Sequence, residues 1–150
     1  MRKMALKRSK YAVSCFKDGF NCSQALLSTY GDQFGLNHEL ALKVSGAFGG
    51  GMGRMGEICG AVTGAFMVIG LKYGKTRADD EQTKEKAYAL VQNFVKEFKT
   101  RNGSIVCREL LSCDISTPKG KKLAEEKQLF TILCPKFVQD AANIIEEILF

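Results

Sequence analysis

Ile58-Cys-Gly-Ala-Val-Thr-Gly-Ala-Phe-Met-Val-Ile-Gly-Leu71 is almost wholly apolar. It runs for about fourteen residues, short of the roughly twenty that a bilayer crossing requires. Apolar on nearly every face, it predicts a buried helix at the centre of a fold and not a membrane span. Around it, apolar residues recur every three or four positions, and alternating runs of β-branched residues are missing. The chain therefore reads as all-α: a single helical domain over residues 1–150, a bundle of about six or seven helices around a glycine-rich central one.

Working outward, the spacing predicts one helix from about Ala5 to Asp18 and a second after Asn21, where Asn21 and Gln24 form a capping box, ending at Tyr30-Gly31. A short helix is expected from Asn37 to about Phe48, and the central one from about Glu57 to Tyr73. Ala87, Leu90, Val91, Phe94, Val95 and Phe98 share one face of a helix from Asp79 to Arg101, stopped by Asn102-Gly103. Thr117-Pro118 reads as a cap and first helical position for a polar helix reaching Phe130, and a last helix begins at Pro135. No internal repeat or linker divides the chain.

The 150 residues suffice for one core, and 45% hydrophobic with 25% charged residues is a globular composition that excludes a disordered tail. A net charge of +6 raises nucleic acid as a partner. The basic start at Arg2, Lys3, Lys7, Arg8 and Lys10 lacks interleaved aromatics, and no zinc-finger or RNP-like motif occurs, so no nucleic-acid partner is expected. Nor does an apolar run of 7–15 residues follow that start, so no secretory signal is read and a cytoplasmic location is expected.

Ten of the fifteen glycines fall between Gly46 and Gly74. Gly51-Met-Gly-Arg-Met-Gly56 matches GxGxxG, but no strand precedes it and a polar loop follows the helix, so neither nicotinamide nor flavin is expected. Gly56, Gly60 and Gly64 stand four apart, predicting a face where a backbone or a bulky cofactor can approach, with the loop at Gly56 part of a site and Gly64 a packing position.

Six cysteines are too few for a disulfide scaffold, and no CxxC, CxxCH or Cys/His finger occurs. Any site must be assembled by the fold. Cys22 follows the Asn21 cap, Cys59 lies in the first turn after Gly56, Cys107 lies three residues after the expected cap Ser104, and Cys134 precedes Pro135 as an expected N-cap. Helix starts favour the thiolate, which is the form that binds metal or attacks a disulfide. At least two of these four thiols, aided at Cys107 by the charge of Arg108, are expected to ionise below the free value of about 8.5. Cys15, mid-helix, and Cys113 read as buried and inert, with Cys113 the more accessible. His38 reads as a structural residue at a helix start.

Asn21-Cys22-Ser-Gln, Cys59-Gly-Ala-Val-Thr-Gly64, Cys107-Arg-Glu-Leu-Leu and Cys134 together resemble the redox-active family named for its C-GCAxxG-C-C cysteine pattern. The resemblance spans most of the chain. It implies a small bacterial-type cytoplasmic protein with four characteristic cysteines, associated with transport. Cys22, Cys59, Cys107 and Cys134 carry over, with Gly60, Ala61 and Gly64 as the small residues of the motif. Cys113 is the alternative to Cys134 as fourth member, and the helix-cap position favours Cys134.

Four thiolates converging at one end of the bundle suit an iron–sulfur cluster or dithiol/disulfide exchange in electron transfer. An all-cysteine structural zinc site is the alternative, and a transport-associated metal-delivery or interaction protein the third. An electron-transfer or transport-associated protein partner fits these readings, and a homo-oligomer is allowed for.

Overall fold

The computed structural model describes the backbone of residues 2–150 and the side-chain surroundings of residues 8–150, so the side chains of Arg2, Lys3 and Lys7 lie outside it. Among the described residues there are eight helices of five residues or more and no strand: α1 (Arg2–Lys17), α2 (Cys22–Gly31), α3 (His38–Ser45), α4 (Gly60–Tyr73), α5 (Glu81–Asn102), α6 (Cys107–Leu111), α7 (Pro118–Glu126) and α8 (Cys134–Leu149). No described helix is long and apolar enough to cross a membrane.

Local chemistry sets most of these boundaries. At α2 the Asn21 side chain accepts from the Gln24 N–H at 2.8 Å, and Gln24 Oε1 accepts from the Asn21 N–H at 3.0 Å, so two orphan donors of the first turn are satisfied reciprocally. Asp80 caps α5 through the Thr83 N–H, and Gly103 ends it with φ of 86°. Thr117 caps α7 from just before Pro118. That helix stops at Glu126, short of Phe130, because Gln128 is left-handed at φ 56° and a separate turn, Leu129–Ile132, follows.

Helix α4 packs on α2, α5 and α8. It is buried from Gly60 through Ala65 and again at Val68 and Ile69, and only its last turn, with Gly70, Leu71 and Lys72, is exposed. The α2–α4 contact is close because Gly64 faces Leu26: a Cβ there would stand 2.8 Å from Leu26 Cβ and from the Ser23 carbonyl oxygen. On the other flank a row of rings, Phe66–Phe94–Phe98–Phe137, runs at centroid spacings of 6.1, 5.9 and 6.4 Å from the core to the start of α8. Burial of each of the fully enclosed rings contributes roughly 1.5–3 kcal/mol. Through Phe137 this row ends at the cysteines.

Candidate functional site

Each of the four family-type cysteines opens a helix. Cys22 is the first residue of α2 behind the Asn21 cap, Cys59 is the N-cap of α4, and Cys107 and Cys134 are the first residues of α6 and α8. All four line one cavity of about 200 Å³ whose remaining wall is largely apolar, with Phe16, Leu110, Leu111, Phe130 and Phe137 around them. None of the four is more than 9% exposed, and all six cysteines of the chain are free thiols. Cys134 lines this cavity and Cys113 does not.

Two backbone devices bring these distant segments together. Ile58 and Val106 form an isolated antiparallel bridge. Around it the Cys59 N–H donates to the Ile105 carbonyl at 2.8 Å and the Cys107 N–H to the Glu57 carbonyl at 2.6 Å. The starts of α4 and α6 are thereby fixed side by side. The second device is close approach: a Cβ at Gly60 would meet the Ser23 nitrogen at 3.0 Å and Cys22 Cβ at 3.1 Å, so glycine lets Cys22 reach Cys59. At Gly51 a Cβ would stand 2.6 Å from Cys107 Cβ. Gly51 belongs to an unusual run, residues 50–54, in which Gly50, Gly51, Met52, Gly53 and Arg54 all have φ between 63° and 69°.

Protonation follows from this packing. The neighbouring Cys134 and Cys59 sulfurs, then burial, push the Cys22 thiol well above its ordinary range. The Cys59 thiol is lowered, first by the Cys22 thiol and then, against burial, by the N–H groups of Ala61 and Val62. No cap hydrogen bond of good geometry reaches the Cys59 side chain, so the latter effect is that of the positive end of α4. Burial raises Cys107 to about 12, with the nearby Cys59 and Cys134 sulfurs adding to it. The helix-start expectation therefore holds at Cys59 and is overridden at Cys22 and Cys107. Arg108 does not offset burial at Cys107, because its guanidinium turns to Glu57 at 2.9 Å and to the Gly56 carbonyl.

Of the three glycines read as a face of close approach, Gly60 lines the cavity and Gly64, as expected, packs α4 on α2. Gly56 lies outside α4, in a loop with φ of 69° against Arg108. Gly50 and Gly51, which the spacing of cysteines and glycines does not mark as site residues, line the cavity in its place. Ser104 does not cap α6; Val106 does, while the Ser104 hydroxyl accepts from the Val106 N–H and donates to Glu109. Cys15 faces Ser28 Oγ at 3.6 Å with its thiol raised by burial, and Cys113 donates to the Gly120 carbonyl at 3.1 Å. Exposed His38 opens α3 and is not part of the cavity.

A soft, all-thiolate donor set suits zinc or an iron–sulfur cluster. As placed, however, no three His, Cys, Asp or Glu side chains among the described residues form a group able to hold a metal ion. As the side chains stand, the four sulfurs are not closed around a common position.

The family model described as "Putative redox-active protein (C_GCAxxG_C_C)" matches residues 20–148, a span containing all four cavity cysteines. Residues 59–64, Cys-Gly-Ala-Val-Thr-Gly, lie within the match. No curated protein and no solved structure matches the chain.

Proposed function

The chain belongs to the C_GCAxxG_C_C family, and we propose that its cavity cysteines form one thiol redox centre, worked by a dithiol/disulfide couple of Cys59 and Cys22. The observation that carries this reading is the close approach of Cys22 and Cys59 across Gly60 in one enclosed cavity, with the Cys59 thiol shifted down and the Cys22 thiol up. Thiol–disulfide exchange needs that division, one sulfur ionised to attack and a second kept back to resolve.

In the exchange, the Cys59 thiolate attacks one sulfur of a substrate disulfide, and the other substrate sulfur leaves as a thiolate with the bonding electron pair. Cys22 then gives its proton to the departed thiolate or to water and attacks the Cys59 sulfur. The second substrate thiolate leaves. The substrate gains two electrons and the protein loses two, stored as a Cys22–Cys59 disulfide; a reducing dithiol drives the same steps backwards. Such chemistry implies a reducing compartment, where the resting state is the dithiol.

Redox titration of the reduced protein, quenched by alkylation and read by peptide mass spectrometry, tests this. One two-electron step joining Cys22 to Cys59 is expected, unchanged in Cys15→Ser and Cys113→Ser. Oxidation that leaves Cys59 free would defeat it.

The convergence of four sulfurs on one cavity favours a second reading, in which they hold an iron–sulfur cluster or, as a binding or metal-delivery role, zinc. It requires Cys22 and Cys107 to lose their protons and the four to close around a common position. Metal analysis with a visible spectrum, on protein purified without oxygen, separates the two readings: a stoichiometric metal or cluster supports the second.

A further inference from the structure

Asn21, Gly50 and Phe130 line two hollows at once: the thiol cavity, and a more open one of about 680 Å³ beside it. The charged side chains of the outer hollow are Arg54, Lys121 and Glu125. Lys121 and Glu125 stand 3.7 Å apart across one helical turn and balance each other. Arg54 has no ion-pair partner among the described residues and is exposed, so the hollow carries one uncompensated positive charge. Its backbone is also the costly one. Arg54 ends the left-handed run of residues 50–54 at φ 65°, a conformation that costs a residue with a side chain free energy which glycine would avoid. A cation kept on strained backbone in a hollow that shares three wall residues with the thiol cavity points to a role in the chemistry.

We propose that the outer hollow is the recognition half of the redox site, and that Arg54 binds the carboxylate of a small anionic disulfide whose sulfur enters the thiol cavity. The proposal rests on the dithiol reading of Cys22 and Cys59. Its physical basis is charge: a thiolate attacking a negatively charged disulfide is repelled by it, and a guanidinium at the entrance offsets that repulsion and concentrates the anion. In the reaction, one anionic thiolate leaves as Cys59 forms the mixed disulfide, and the second leaves when Cys22 attacks the Cys59 sulfur.

The test uses three disulfides of similar length on the reduced full chain: dithiodipropionate, which is dianionic; hydroxyethyl disulfide, which is neutral; and cystamine, which is dicationic. The rate of Cys59 oxidation is read by quenched alkylation, and each rate is divided by that of free mercaptoethanol with the same reagent to remove intrinsic reactivity. At low ionic strength the dianion is expected to react about tenfold faster than the neutral reagent, the dication slowest, and added salt to compress the order. Arg54→Glu, with its fold checked by circular dichroism, is expected to reverse the order, and Arg54→Gly to flatten it. Equal normalised rates for the three reagents, or an order unmoved in both variants, would overturn the assignment of Arg54. Failure of even the neutral disulfide to oxidise Cys59 would instead defeat the dithiol reading beneath it.

Discussion

Cys22 and Cys59 face each other across the contact that Gly60 makes close enough, with ionisation favoured at Cys59 and disfavoured at Cys22. The difference is set by position. Cys59 caps α4 and feels its free N–H groups, whereas Cys22 sits between two other sulfurs, each of which makes a second charge unfavourable.

Alkylation of the reduced protein should therefore show Cys59 modified at lower pH than a free thiol, with Cys22 and Cys107 unreactive until far more alkaline conditions. Cys22→Ala removes the largest influence that lowers Cys59, so its alkylation midpoint should rise. Peptide-resolved rates against pH make the check. A wild-type Cys59 profile at or above that of free cysteine would contradict the geometry.

Gly64 and Gly70 lie on the same helix and make a controlled pair. A Cβ at Gly64 runs into Leu26 and the Ser23 carbonyl, while at Gly70 nothing stands within 4 Å. Gly64→Ala should cost about 1–3 kcal/mol by forcing α2 from α4. Gly70→Ala should stabilise by up to about 1 kcal/mol through helix propensity. Urea denaturation of the two variants measures both, and equal midpoints would show that the α2–α4 contact does not depend on the missing side chain.

Much of this arrangement is legible in the sequence because it is local. The Asn21/Gln24 capping box, the Gly103 stop and the buried run from Ile58 each depend on residues within a turn or two of one another. The grouping of Cys22, Cys59, Cys107 and Cys134 is legible from their shared place at helix starts and from the family pattern. What escapes is non-local. The Ile58–Val106 bridge joins segments far apart in sequence with no turn to announce it. Similarly, the left-handed backbone at Met52, Arg54 and Gln128 runs against the preference of those residue types. The protonation expectation erred at Cys107 for the same reason: a helix start can be read from sequence, but the burial that outweighs it cannot.

A second buried pair gives a pH prediction away from the thiols. Tyr30 donates to Glu146 Oε1 at 2.6 Å, linking α2 to α8. Burial raises the Glu146 carboxyl above its ordinary 4.5, while Tyr30, the Ser9 backbone and Arg8 pull it part of the way back. A raised acid holds its proton in the folded chain at a pH where the unfolded chain has lost it. Its effect on stability is thus most favourable below 4.5 and is lost as pH rises through the folded value. Glu146→Gln keeps an acceptor for Tyr30 without the charge. The variant should gain stability relative to wild type as pH is raised from about 4 to 7. A difference between the two that does not change with pH would rule the effect out.

Arg54 allows stability and recognition to be separated. At φ 65° its backbone carries the left-handed penalty of roughly 1–2 kcal/mol for a residue with a Cβ, and the side chain has no ion-pair partner among the described residues to offset it. Glycine at this position removes the penalty but adds entropy to the unfolded chain, so Arg54→Gly should stabilise by a net of about 0.5–1 kcal/mol. Met52, at φ 69° in the same run, should respond in the same direction when changed to glycine, yet it does not line the outer hollow. Thermal denaturation of both variants is the measurement. Two gains in stability, with the charge order of disulfide oxidation altered only at position 54, would show that the strain at Arg54 is retained for its guanidinium. A loss of stability in Arg54→Gly would show that this side chain holds the loop together, and would remove the argument from strain.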